Sequence, residues 1–553
     1  MSSAYASTEL VDGEVPRRVV FASMAGVMAA MLMAALDGTI VGTAMPQAIA
    51  EMNGFEHYTA VVTMYLLAST TIVPIAGKLS DLYGRKPFLL AGVAIFVAGS
   101  ALCGLSRSML QLVFFRGIQG IGAGFTQAMA FTTIADLFPP ARRGRVSGVM
   151  GSVFGLATVI GPTVGGLLTD GPGWRWCFYV NLPVGVLAFA ILLAVFPHTM
   201  ARKRKASIDW VGAGTLLLGV VPLLLACSWG GRDYAWGSTV VIGLLAGGLS
   251  MTGLFLFVET RAPEPILPLN MFRSRVVWTS AAGAMLVSIA MFGTVLFVPL
   301  FIQTVIGRSA TQSAAVLTPL MFTLIVSSVL SGQLISRWGR YKGIAVFGMV
   351  ALVVGLLLLS RMDVNTTYPA VLRDVILIGI GLGATMPVFP IAVQNAVSID
   401  RVGVATSSIQ FLRSMGGSLG AAVFGAMLTN RFASAFHRGI SADVASHIAP
   451  GLLAKFENPQ ALMNPRLAAE LKAAGPEAVQ RLAPLLAAVK QALASSLQEV
   501  FLVAAAVMVV GFGVSLFLVD LPLRKTNRPT QAPAEGDVPM MSTTMSTTAT
   551  LEM

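Results

Sequence analysis

Asp37 is the one charged residue in an apolar run that begins after Arg17-Arg18 and continues through Ile40-Val41. Keeping an ionised carboxylate near the centre of a bilayer costs about 3 kcal/mol or more. Packing alone gives no reason to place one there. The chemistry open to it is the binding and release of a proton or a cation on a path through the membrane. A structural alternative is an acid near a helix end that snorkels to the outer surface. Arg116 poses the matching question from the other sign. It lies in Leu112-Val-Phe-Phe-Arg116-Gly-Ile-Gln119, and a guanidinium in such a run needs an anionic partner or a wet cavity.

The elements that must position these groups are set by composition. The chain has 553 residues, of which 55% are hydrophobic and 11% charged, with a mean hydropathy of +0.78. That excludes a water-soluble globular domain. Apolar stretches of about 20 residues, each long enough for a hydrocarbon core roughly 30 Å thick, recur from end to end. Fourteen are expected, at 19–45, 58–78, 88–106, 110–134, 146–168, 177–197, 208–228, 238–258, 277–300, 312–335, 343–361, 371–392, 403–428 and 498–520. The first is too long for the apolar region of a signal peptide and is kept as a helix. Cys103, Cys177 and Cys227 lie in or beside these runs, and His57, His198, His437 and His447 are scattered. Their spacing suggests neither a disulfide framework nor a metal site, and no cofactor is expected.

The net charge of +12 matters through its placement. The even-numbered connections and the termini carry clusters such as Lys78/Arg85/Lys86, Arg142/Arg143/Arg145, Arg202/Lys203/Arg204/Lys205 and Arg337/Arg340/Lys342. Most short odd-numbered connections carry a single Arg, such as Arg107, Arg175 or Arg308. Positive residues mark the cytoplasmic side, so a multi-pass protein of the cell (inner) membrane with both termini cytoplasmic is expected, and a nucleic-acid surface is not. The organisation reads as a cytoplasmic tail at 1–18, a six-helix half at 19–200, an inserted helix pair at 207–260 and a second half at 276–520. The second half holds an Ala-rich outside loop at 429–497 with short amphipathic stretches, suited to a helical cap on the outer membrane surface. The Pro/Thr/Ser/Met-rich tail at 524–553 is expected to be disordered. A weak repeat supports the two halves: Gly77-Lys-Leu-Ser-Asp81-Leu-Tyr-Gly84-Arg85 after the second span matches Gly332-Gln-Leu-Ile-Ser336-Arg-Trp-Gly339-Arg340 after the tenth. Repeated halves around a central cavity are a transporter arrangement.

The segment Gly77-x-x-x-Asp81-x-x-Gly84-Arg85-Lys86 resembles the signature loop of the major facilitator superfamily. Gly77 and Gly84 permit close helix approach and a tight turn, while Asp81 and Arg85 can form charge pairs that latch helices on the inner face. Arg116-Gly-Ile-Gln119-Gly120 is similar to the superfamily's fourth-helix pattern, and the resemblance makes Asp37 the partner of Arg116. A guanidinium favours the ionised acid and burial favours the neutral one, an opposition suited to a proton site; a purely structural ion pair is the alternative. Ala157-Thr-Val-Ile-Gly161-Pro162-Thr-Val-Gly165-Gly166 resembles the fifth-helix motif of proton-coupled exporters, with Ala157 where that motif has Gly. Small residues there allow close packing, and Pro162 bends the helix. Leu36-Asp37-Gly-Thr-Ile-Val-Gly42-Thr-Ala-Met-Pro46 and Trp174-Arg-Trp-Cys-Phe-Tyr-Val-Asn181-Leu-Pro183 resemble the fourteen-helix drug–proton antiporter branch (EmrB/QacA type), which commonly has Asn at the position of Gly42. The resemblance covers about residues 18–524.

It implies an all-α integral membrane protein of the major facilitator fold, with two six-helix halves plus an inserted pair. It implies a proton-coupled multidrug exporter moving lipophilic compounds, cations foremost, by alternating access, in the class linked to antibiotic resistance. Its partners would be those compounds, protons, the bilayer and, as a candidate, a periplasmic adaptor protein. Rival readings are an exporter of one metabolite or siderophore on the same fold, and a non-transporting sensor or lipid-handling protein. Gln119, Gln410 and Arg413 are candidate polar groups of the cavity. For Arg413 three placements remain open: facing the cavity, pairing with Asp37, or reaching the inner surface. The glycine-rich strings Gly120-Ile-Gly122-Ala-Gly124 and Gly379-Ile-Gly381-Leu-Gly383 lie inside apolar helices with no preceding strand, so they are not phosphate loops. Gly416-Gly-Ser418-Leu-Gly420 lacks the surroundings of a nucleophile elbow, and no enzyme is expected.

Overall fold

A computed structural model describes residues 16–52, 58–197, 208–231, 233–308, 310–398, 401–440 and 475–523. Expectations that fall on the terminal tails, on Arg202–Lys205, or on the middle of the 429–497 segment lie outside the described residues. Among the described residues the chain is helix and loop, apart from one β-bridge between Gly230 and Tyr234.

Fourteen long helical segments follow one another. In the first half they are α1 (Arg17–Met52), α2 (Tyr58–Tyr83), α3 (Arg85–Gly104), α4 (Met109–Leu137), α5 (Pro140–Asp170) and α6 (Asn181–Val195), the last preceded by the short helix Trp176–Tyr179. The pair α7 (Trp210–Trp229) and α8 (Thr239–Arg261) comes next. The second half comprises α9 (Arg275–Thr304), α10 (Leu317–Trp338), α11 (Lys342–Leu359), α12 (Tyr368–Thr385, continued by Val388–Ala396), α13 (Val402–Gly439) and α14 (Gly475–Leu516). Thirteen of them are long and apolar enough to cross a membrane by length and composition. The exception is α4, whose 29 residues include the buried Arg116 and Gln119. Polar groups needed inside the bundle dilute its hydropathy.

The surface is apolar where a soluble protein's would be polar: Leu193, Leu249, Phe322, Leu330 and Phe347 are all exposed. Only a hydrocarbon surrounding satisfies such a belt. Each half has its own core, one built on Val27, Val93, Phe96 and Met129, the other on Phe301, Leu352, Ile378 and Phe501. The halves meet along α5–α10 and α2–α13. These two contacts correspond under the internal repeat, because α2 matches α10 and α5 matches α13. Gly84 (φ 95°) after α2 and Gly339 (φ 70°) after α10 both have a positive φ, which only glycine adopts without strain; Gly339 is left-handed helical and Gly84 is more extended.

The segment expected as an outside loop at 429–497 is largely helical where it is described, because α13 continues to Gly439 and α14 begins at Gly475. Phe432 and Phe436 on α13 are buried in one cluster with Leu485 and Val489 on α14. Burying apolar faces against each other removes the need to lay them on a membrane surface. Arg431 and Glu499, both largely exposed, form an ion pair of 2.8 Å along the same two helices.

Candidate functional site

The α4 helix carries Arg116 and Gln119 three residues apart, hence on one face. Its glycines bring the neighbouring helices in: a Cβ on Gly120 would stand 2.5 Å from the Tyr65 carbonyl on α2, and one on Gly122 would stand 2.7 Å from the Gly92 carbonyl on α3. The Gly-rich string is thus a packing surface. Across it α1 presents Asp37, which is fully buried.

The Asp37 carboxylate accepts three hydrogen bonds. Arg116 Nη1 donates to Oδ2 at 2.5 Å, Gln119 Nε2 to Oδ1 at 2.7 Å, and Asn181 Nδ2 to Oδ1 at 3.0 Å. Ser100 Oγ on α3 accepts from Gln119 (3.1 Å) and Asn181 (3.0 Å) and donates to the Phe178 carbonyl (2.9 Å). Arg116 Nη1 also donates to Gln119 Oε1 at 2.8 Å, and the guanidinium lies 4.0 Å from the centre of the Tyr65 ring. Five helices therefore supply one closed network. Arg116 Nε is buried without a partner. With Asp37 and Arg116 sealed from solvent, proton exchange at this site requires the helices to part. Gln119, expected along a cavity wall, is spent inside this network instead. Ser100 escaped the sequence analysis, and Asn181 entered it only within the Trp174–Pro183 motif, without a role.

The basic end of the bundle holds the second constellation. Asp81 accepts from the backbone N–H of Gly403 (3.2 Å) and of Val404 (2.7 Å), at the first turn of α13 in the other half. A carboxylate there satisfies orphan amides and complements the helix dipole. Arg85 pairs with Asp81 and with Asp136 Oδ2 (2.9 Å), and donates to Ser80 Oγ (2.7 Å). Lys86 Nζ donates to the Phe196 carbonyl at 2.8 Å. Gly77 faces Ser407 so closely that any side chain would collide. Asp136, at the end of α4, was not singled out from the sequence. In the second half the repeat's Ser336 accepts from the Arg145 amide at 3.1 Å in α5.

On α5 the small residues serve two partners. Gly148 faces the Ser328 carbonyl and Val329 of α10, so the first part of the helix packs on the other half. Gly161 and Gly165 face the Thr39 and Thr43 hydroxyls of α1, in the same half as Asp37. Gly166 faces open space and Pro162 is exposed. Gly38 and Gly42 of α1 also have nothing within 4 Å of where a Cβ would be.

Arg413 does not pair with Asp37. It lies in the second half on a cavity lined by α9, α12 and α13. Among the described residues its one hydrogen bond goes from Nη2 to the Met386 sulfur at 3.1 Å. Gln410 lines the same cavity.

The sequence model described as Major Facilitator Superfamily matches residues 27–421. The chain is 43% identical over 406 residues to the multidrug transporter protein MdtP of Bacillus subtilis, covering 73% of this chain and 75% of that one. It is 38% identical over 515 residues to an MFS-type transporter of Mycobacterium tuberculosis, covering 92% and 70%. Among solved structures it is similar to the human organic anion transporter MFSD10 (TETRAN), with a TM-score of 0.55 at 17% identity over 89% of this chain and 99% of that one, a likeness of fold.

Proposed function

The chain belongs to the major facilitator superfamily, and we propose that within it the chain is a proton-coupled exporter of lipophilic drug-like compounds. As a family member it is a multi-pass membrane transporter and not an enzyme. Relatives named as a multidrug transporter and a multidrug resistance protein support efflux as the direction of transport.

The observation that carries the coupling is the state of Asp37. It is a fully buried acid in an apolar helix, held by three donors from two other helices. Protonation would remove the charge that Arg116, Gln119 and Asn181 converge on. That loosens α1 against α4 and α6, a local event tied to helix position. The reverse step recloses the network. The basic end, taken as cytoplasmic with both termini there, is closed by the Asp81 cap on α13 and by the α5–α10 contact. In this reading the described form is sealed inward, and alternating access consists of breaking that latch while α1 slides on Gly161 and Gly165.

The test is uphill transport in a purified system. In proteoliposomes with an imposed pH gradient, the full chain should drive ethidium against its concentration gradient, and an uncoupler should abolish the movement. Ethidium movement that an uncoupler leaves untouched would refute proton coupling. A pH gradient that moves no lipophilic dye at all would refute the export reading.

A further inference from the structure

Arg413 is placed about 16 Å along α13 from that helix's start at Val402, by a rise of roughly 1.5 Å per residue. That depth is well inside a hydrocarbon core. Every other described carboxylate that could neutralise it is spent elsewhere. Asp37 serves Arg116, Gln119 and Asn181; in the second half Asp363 binds Thr366, Asp374 pairs with Arg373, Glu499 with Arg431, and Asp520 caps Tyr341 and Lys342. A guanidinium has five donors arranged for a planar anion, and Arg413 uses one, on a thioether.

The surroundings are built rather than incidental. The cavity is narrow in the described form, about 20 Å³, room for roughly one water. Val287, Leu382 and Phe389 give it apolar walls. The buried side chains of Ser288 and Gln410 line it too, and neither makes a hydrogen bond within the described protein. The lining, mostly apolar with a few convergent polar groups, has the chemistry that an amphiphilic ligand requires, and the helices must part for such a ligand to enter. The unpaired cation fixes the sign of the ligand's polar end.

We propose that this second-half cavity is a substrate subsite that receives an anionic group, such as a carboxylate, on an otherwise apolar compound, with Arg413 as its ion-pair partner. Gln410 and Ser288 supply further hydrogen bonds to the same group. The substrates then include amphiphiles bearing an acid, zwitterions among them, beside lipophilic cations. This rests on the export reading but is tested apart from it, by equilibrium binding.

The probes are tetramethylrhodamine with its free carboxylate and the methyl ester of the same dye. Fluorescence anisotropy would follow each with the full chain in phosphatidylcholine nanodiscs. Wild type should favour the carboxylate. In Arg413→Gln the ratio of affinities, carboxylate over ester, should fall about tenfold or more, as expected on losing a charge-assisted pair. Arg413→Lys should recover part of that ratio. Measuring a ratio keeps a merely damaged fold from mimicking the effect, since damage weakens both dyes. An unchanged ratio, or a wild type that prefers the ester, overturns the assignment. Adding phosphatidylglycerol separates a transported anion from a lipid headgroup: competition for the carboxylate dye would reassign the site to lipid and overturn the proposal. Selective binding without gradient-driven dye movement would leave the subsite standing and defeat the export reading instead.

Discussion

The two halves share a helix order, a positive-φ glycine at the same offset and a mirrored contact, yet they handle buried charge in opposite ways. In the first half Asp37 and Arg116 are closed inside a five-helix network with little left unsatisfied. In the second, Arg413 stands on a narrow cavity with a sulfur as its partner. The latches differ likewise. Asp81 and Arg85 bring charge to the start of α13, whereas Ser336 meets α5 with a hydroxyl. One scaffold used twice has kept its packing glycines and diverged in its ions. The comparison separates roles: a self-contained charge network suits a proton, and an unfinished one suits a ligand.

The largest expected effect sets these ions against each other. Asp37→Ala strands a buried guanidinium and should cost about 3–5 kcal/mol, read as a large drop in the thermal midpoint. Replacing the pair together, Asp37→Leu with Arg116→Met, should restore much of that stability. Arg413→Met removes an unpaired charge from membrane depth and should raise stability by about 1–3 kcal/mol. If Arg413→Met destabilises as Asp37→Ala does, Arg413 has a partner and the contrast fails.

The glycines of α5 sharpen the comparison at the next level. Gly148→Ala drives a methyl group into the Ser328 carbonyl of the other half, 2.5 Å from the ideal Cβ. It should cost about 1–3 kcal/mol and resist rescue, because backbone cannot be trimmed. Gly161→Ala meets the Thr39 side chain, its hydroxyl first and its Cβ at 2.7 Å, so Thr39→Gly should rescue it and Thr39→Ala only in part. Equal behaviour of both in thermal melts would remove the distinction between the two contacts.

A smaller effect compares the latches. Asp81→Ala should cost about 1–2 kcal/mol through loss of a helix cap, and Ser336→Ala about 0.5 kcal/mol. Asp81→Ala should also speed maleimide labelling of Ser407→Cys, a site buried at the closed end. Labelling that Ser336→Ala accelerates more would reverse the assignment of the main latch. The smallest effect is at Gly42, where the related branch has Asn. Nothing lies within 4 Å of a Cβ there, so Gly42→Asn should shift stability by about 0.5 kcal/mol or less.

Much of this was legible in the sequence because membrane helices declare themselves by local composition. The repeat was legible because Gly77 and Gly84, with Gly332 and Gly339, answer to turn and packing geometry that tolerates no side chain. The acid of the network was legible because Asp37 is costly where it stands. Its partners were less so. Ser100, Asn181 and Asp136 are ordinary polar residues at helix interiors and ends, and only the crossing of helices distant in sequence gives them roles. The placement of Arg413 was left open for the same reason, since no sequence pattern states which face of α13 meets a cavity. The 429–497 segment reads as an outside connection with short amphipathic helices because Pro breaks its pattern, yet where it is described two long helices extend into it and bury Phe432 and Phe436.

The measurement that bears most directly on the central claim compares Asp37→Asn with wild type in proteoliposomes, following ethidium in two modes. Wild type should exchange ethidium between the two sides and also accumulate it when a pH gradient is imposed. Asp37→Asn should keep the exchange, which needs no proton, and lose the response to the gradient. A variant that still accumulates ethidium as wild type does would contradict Asp37 as the coupling acid and place proton binding elsewhere in the bundle.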